Sequence, residues 1–181
     1  ALSRLDAALR DTHIVGLRTN VAFLRRCAAT ASFAGADLDT GLIEREKAVL
    51  FDQPGLPLRV SAAAVVAHTL AVEAATQGTD PWSARDGFRM FGAATRRFDL
   101  AAGDTHHEVL LARHHRGGMT LTVEGESLDF AVRSSDTETH ELFLGHGSEL
   151  QRLRVKTYAQ GERVAVFASE GSRSEEHTSE L

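Results

Sequence analysis

The stretch from Val60 to Thr76 constrains this chain more than any other. At helical spacing, Ala63, Val66, Leu70 and Ala74 line one face while Val65, Val72 and Ala75 occupy others, so the helix is apolar on nearly every side. Such a helix must be surrounded, because bare exposure would leave a costly apolar surface in water. A bilayer is excluded as the surrounding: Ser61, His68, Thr69 and Glu73 interrupt the run, which falls short of the roughly 20 apolar residues a span needs. The cover is therefore expected to be protein.

The cover follows directly. Gly78-Thr-Asp-Pro81 ends the helix, and from Gly87 the pattern changes to short β-rich runs separated by turn residues. Eight strands are predicted: Phe88 to Phe91, Thr95 to Leu100, His107 to His114, Met119 to Val123, Ser127 to Val132, Thr139 to Leu144, Gln151 to Thr157 and Arg163 to Ala168. Leu121 and Val123, then Leu128, Phe130 and Val132, place apolar side chains at every second position, as a sheet with one buried face requires. Regular spacing with tight turns predicts an antiparallel meander, and closure into a barrel would remove its exposed edges. The fold class is thus α+β, with an antiparallel barrel of about eight strands around one long helix.

Ahead of the helix the chain reads as a separate helical piece. Leu2, Leu5 and Leu9 share a helix face that ends near Asp11, and Thr12 to Val15 forms a short β-rich run. Thr19 or Asn20 can cap a second helix carrying Val21, Leu24 and Ala28. Ser32 to Asp37 reads as a loop, and Asp39 can cap a third helix through Leu50. Gln53-Pro-Gly-Leu-Pro57 breaks regular structure, giving a first unit over 1–52, a linker over 53–59 and the helix-plus-strand unit over 60–169. The remainder, 170–181, ends in Arg173-Ser-Glu-Glu-His-Thr-Ser-Glu-Leu181, which lacks apolar periodicity and resembles a translated sequencing adapter. It is expected to be unordered. With a start at Ala1 inside an amphipathic pattern, the expectation is a reading frame cut at both ends.

Charge and cysteine content narrow the function classes. Twenty Lys and Arg against 25 Asp and Glu leave a net charge of −5, so there is no basic excess to neutralise a phosphate backbone, and nucleic acid is excluded as a partner. The single cysteine, Cys27, rules out a disulfide framework within the chain and favours an intracellular, cytoplasmic location. His106-His107 and His114-His115 alternate across strand faces and read as solvated surface, since zinc would need three or four convergent ligands. Trp82, Phe88 and Phe91 read as core aromatics, with a partner-facing patch as the alternative.

Three segments together carry a family resemblance: Asp11-Thr-His-Ile-Val-Gly-Leu-Arg-Thr-Asn-Val-Ala-Phe-Leu24, Phe33-Ala-Gly-Ala-Asp-Leu-Asp-Thr-Gly-Leu-Ile-Glu44 and Asp80-Pro-Trp-Ser-Ala-Arg-Asp-Gly-Phe88. They resemble the α subunits of biotin-dependent acyl-CoA carboxylases, those acting on 3-methylcrotonoyl-CoA most of all. The first two look like the end of the biotin carboxylase domain. The third, with the helix before it and the strands after it, is similar to the BT domain that links biotin carboxylase to the biotin carrier, a barrel around one helix.

The resemblance implies a parent ligase that uses ATP, Mg2+ and bicarbonate to carboxylate biotin and passes the carboxyl group to an acyl-CoA. Its implied partners are a carboxyltransferase β subunit and the biotin carrier domain, in a hetero-oligomer. Asp39 and Thr40 would lie beside the adenine end of the nucleotide site, although Asp39 equally reads as a simple helix cap. No catalytic residue and no metal ligand of the family is visible in this chain. Neither Lys47 nor Lys156 has the flanking methionines of a biotin attachment site, so this piece alone is expected to be inactive. Acetyl-, propionyl- or geranyl-CoA carboxylase α subunits, or a non-enzymatic helix-plus-barrel binding module, are the alternatives.

Overall fold

A computed structural model describes residues 1–17, 19–51, 55–78, 92–102, 105–115 and 117–168, together with the backbone of 173–179. Two compact units divide the chain between Gly55 and Leu56, inside the 53–59 segment read as a linker.

Unit 1 is helical: α1 (Leu2–Arg10), α2 (Val21–Ala29), α3 (Ala31–Ala34), α4 (Leu42–Arg45) and α5 (Lys47–Phe51). Asp6 joins the first two, accepting from Arg10 Nη2 at 2.6 Å and from Arg25 Nε at 2.9 Å. Arg26 Nε donates to the Leu50 carbonyl at 2.8 Å, and the Phe23 and Phe51 rings lie 5.6 Å apart, so α2 packs on α5 around the fully buried Leu50.

Several local expectations change here. Thr12 to Val15 is not in a strand, because no neighbouring strand among the described residues offers a ladder. The predicted loop from Ser32 begins instead inside α3, started by Thr30, whose hydroxyl accepts the Phe33 N–H at 3.2 Å. The predicted third helix is two short helices, α4 and α5, broken at Glu46. Asn20 occupies the N-cap of α2 without a side-chain cap bond.

Unit 2 starts with α6 (Leu58–Thr76), followed by β1 (Ala94–Ala102), β2 (Thr105–Arg113), β3 (Met119–Val123), β4 (Glu126–Ser134), β5 (Thr139–His146), β6 (Glu149–Gln160) and β7 (Arg163–Ala168). Each strand pairs antiparallel with the next, and the sheet curls around the helix. Glu124 and Gly125 both take positive φ, at 51° and 83°, which is the backbone of a two-residue hairpin turn between the paired Val123 and Glu126. The seven strands match seven of the predicted ones; Phe88 to Phe91, along with Trp82, lies outside the described residues.

The core sits between helix and sheet. Val60 and Ala62–Ala67 pack against Phe98, Leu100, Leu111, Leu121, Leu142, Val155 and Val166, all nearly free of solvent exposure. Four of these seven packed helix residues are alanines, which lets the sheet close tightly on the helix axis. Enclosure is partial along the helix: Val72 is 38% exposed and Ala74 to Thr76 face solvent, so the predicted burial of this end is corrected. By length and composition alone α6 also passes for a membrane span, contrary to the sequence expectation. Burial of Val60 to Ala67 inside the sheet is what gives it a protein surrounding.

The backbone of β8 (Arg173–Ser179) runs antiparallel to both β7 and β1. An unordered tail was expected there. The physical reason for the difference is that two neighbouring strand edges present unpaired N–H and C=O groups, which a proline-free segment of any composition can meet through its backbone.

Candidate functional site

Two polar constellations stand out, one in each unit. In unit 1, Asp39 Oδ1 accepts the Gly41 N–H at 2.9 Å, forming a turn just before α4, and both carboxylate oxygens lie 2.7 Å from Arg45 Nη1. The guanidinium of Arg45 holds the Asp39 carboxyl below its ordinary pKa, assisted by the backbone N–H groups of Gly41 and Leu42. Asp39 is therefore an ionised, exposed group that shapes the loop, while the N-cap position itself belongs to Gly41. Thr40 is exposed beside it. The carboxylate is already committed to Arg45 and a turn N–H, and among the described residues no three His, Cys, Asp or Glu side chains converge to hold a metal.

In unit 2 the polar side chains gather around Thr157, which is fully buried on β6. Its hydroxyl lies 3.0 Å from His68 Nδ1 on α6 and 2.8 Å from His140 Nε2 on β5. His68 Nδ1 also meets the Thr137 carbonyl at 2.8 Å, and His140 Nδ1 meets the Ser134 hydroxyl at 2.8 Å. Burial pushes the His140 pKa down to about 4, with the neighbouring His68 adding to the effect and Asp136 opposing it. His140 stays neutral at physiological pH, and both of its ring nitrogens have hydroxyl partners, Ser134 and Thr157.

The expectation singled out His106, His107, His114 and His115 and passed over this pair. His106, His114 and His115 are exposed, and His107 Nδ1 lies 3.0 Å from Glu124 Oε1, away from any metal set among the described residues. The overlooked signal was positional: His140 shares the alternation of Leu142 and Leu144, which places a polar residue on the core face of its strand.

With the fold in view, comparison with known proteins is decisive for the family. Residues 57–179, most of the chain, match the family model described as the methylcrotonyl-CoA carboxylase α-subunit BT domain. The chain belongs to this family. It is also 34% identical over 96 residues to the mitochondrial methylcrotonoyl-CoA carboxylase subunit alpha of Dictyostelium discoideum. That alignment covers 50% of this chain and 14% of the relative, so the chain spans only a small part of the length of the protein it matches. As a BT domain, unit 2 belongs to an enzyme family.

Proposed function

We propose that the chain is a piece of the α subunit of a methylcrotonoyl-CoA carboxylase, comprising the end of its biotin carboxylase domain in unit 1 and its linking domain in unit 2. The observation that carries this reading is the family match over 57–179, laid on a helix enclosed by an antiparallel sheet. In the parent, ATP, Mg2+ and bicarbonate serve the carboxylation of biotin elsewhere in the chain, and the carboxyl group passes to 3-methylcrotonoyl-CoA on a carboxyltransferase β subunit. Unit 2 then joins the biotin carboxylase and biotin carrier domains and docks the β subunit. A reducing compartment, the cytoplasm, suits its lone Cys27.

Unit 1 supports the larger-domain reading through its surface. Leu38 and Phe51 are each 57% exposed and Val49 is 55% exposed, a density of bare apolar side chains that a 55-residue piece of a larger core would show. Arg26 adds a polar counterpart: its Nη2 is buried without a hydrogen-bond partner among the described residues. Residues of the rest of a biotin carboxylase domain would cover the one and satisfy the other. Asp39 and Thr40 are assigned to the border of its nucleotide site, with Asp39 acting through the shape of the loop.

An eight-stranded barrel is also part of the proposal. The segment Arg173–Ser179 has no apolar residue, whereas the strands beside it alternate Val164 with Val166 and Phe98 with Leu100 on the core face. We assign the position between β7 and β1 to a native strand of alternating apolar pattern in the parent subunit.

The test is Val66→Asp in the completed α subunit. Val66 is fully buried, and an unpaired carboxylate in that place should cost several kcal/mol and disrupt unit 2. The expected result is loss of β-subunit capture on co-purification, with ATP-dependent carboxylation of free biotin retained. Full capture by a correctly folded variant would overturn the docking role.

A further inference from the structure

α6 poses a packing problem that hydrophobicity does not solve. Its buried segment, Val60 to Ala67, consists of four alanines, three valines and Ser61, whose hydroxyl is satisfied within the helix by the Leu58 carbonyl, so turning the helix about its axis or sliding it by a turn exchanges one small side chain for another. Large side chains that would act as keys are missing from that segment. Something else must select one rotation.

We infer that the hydrogen-bonded bridge His68–Thr157–His140 is the key that fixes α6 in a single rotation and height within the sheet. The geometry is specific in direction. The Thr137 carbonyl can only accept, so His68 Nδ1 carries its proton and donates at 2.8 Å. The Thr157 hydroxyl, 3.0 Å from that nitrogen, joins His68 to His140 at 2.8 Å, and the Thr157 amide donates to the Glu138 carbonyl at 2.7 Å. The two imidazoles stand edge to face with centres 6.3 Å apart. A rotation of α6 by one residue swings His68 away by about 100° and breaks its contacts with both the Thr157 hydroxyl and the Thr137 carbonyl. A single buried polar contact specifying one register among apolar alternatives has this same physical logic. On another side of the helix, Glu73 receives Arg96 Nη1 from β1 at 2.7 Å, a rim contact that steadies the emerging end.

The key works only while His140 is neutral. A second proton would place a cation in the core, facing His68 from α6, with Asp136 and Glu138 of the β4–β5 connection and Tyr158 of β6 as the remaining titratable neighbours. The Asp136 carboxylate is turned to the Glu138 and Thr139 N–H groups, both at 2.7 Å. Because the folded pKa of His140 lies below its ordinary value of 6.5, at about 4, the unfolded chain takes up the proton first. The contribution of His140 is complete above pH 6.5, falls about tenfold in equilibrium constant per pH unit below it, and is gone near pH 4.

Thr157→Val tests this, removing the shared hydroxyl at nearly constant volume. Amide exchange of residues 60–71 is followed by NMR in the 181-residue chain, corrected for intrinsic rates, between pH 7 and pH 4.5. The expected result is a retained sheet, at least tenfold faster exchange confined to α6, duplicated α6 resonances and a flatter pH profile than in the unmodified chain. A single set of resonances with unchanged protection would overturn the inference. Should the variant fail to fold, titration of the histidine ring signals in the unmodified chain decides the matter. His140 should remain neutral at pH 5.5, while α6 protection should already fall below pH 6.5, by up to about tenfold per pH unit. Ordinary titration of His140 near pH 6.5 without loss of α6 protection would refute the bridge as a key.

Discussion

Asp39 shows how far a single residue's role depends on what its charge is already doing. Its carboxylate spends both oxygens on Arg45 and one of them also on the Gly41 N–H, so the ion pair shapes a loop rather than presenting a vacant ligand. The pair is exposed, and exposed pairs of this kind contribute little to global stability. Asp39→Asn is accordingly expected to leave the thermal midpoint of the chain unchanged. In the completed α subunit, the same substitution should raise the KM for ATP with kcat nearly constant, since a relaxed loop would alter binding without touching reacting groups. Steady-state kinetics over a range of ATP concentrations checks this, and an unaltered KM would remove the loop from the nucleotide site.

Among the elements, the β5–β6 hairpin is built on a close backbone approach. A methyl group at Gly145 would sit 1.9 Å from the Glu149 carbonyl oxygen, a distance that only backbone movement could relieve. Asp129 Oδ2 on β4 then ties down the turn by accepting the Gly147 N–H at 2.7 Å. Gly145→Ala should cost about 1–3 kcal/mol, as overpacking of a tight site does. Urea unfolding would show this as a lower midpoint with an unchanged slope; an undisturbed midpoint would mean that the hairpin can open without penalty. The outer face of the same hairpin is held by softer contacts, with Glu141 accepting from Arg152 and pairing with Arg154, and Arg133 lying over the Phe143 ring at 5.4 Å. These pairs are solvent-facing and set register more than stability.

At the scale of the whole molecule, the two units differ in how complete they are. Unit 2 exposes Val72 and Leu150 as its large apolar side chains among the described residues, whereas unit 1 leaves Leu38, Ile43, Val49 and Phe51 bare within a short stretch. The segment 173–179 pairs with β1 and β7 through its backbone and has no apolar residue. Removal of 173–181 should therefore leave the thermal midpoint within a degree or so, because little apolar area is at stake. Uncovered β1 and β7 edges should instead promote self-association, visible by light scattering as concentration-dependent growth in size. A midpoint several degrees lower would show that the segment contributes packing as well as pairing.

What the amino-acid pattern determined by itself was the relation of helix to sheet. A run of Ala and Val with no polar side has to be enclosed, and period-two alternation in Leu121, Val123, Leu128 and Phe130 supplies the enclosing face; both are local signals, one side chain against its near neighbours in the chain. The tertiary structure alone decided which part of the helix is covered, Val60 to Ala67 and not Val72, since that depends on how far the sheet reaches along the helix and not on the helix's own composition. It also decided the meaning of His68, His140 and Thr157. Apart in sequence, they carry no shared periodicity, and only the antiparallel register of β5 and β6 around the helix brings one hydroxyl within reach of two imidazoles. Buried polar contacts of this kind are long-range by nature: their partners are chosen by topology, whereas hydrophobic burial needs no particular partner.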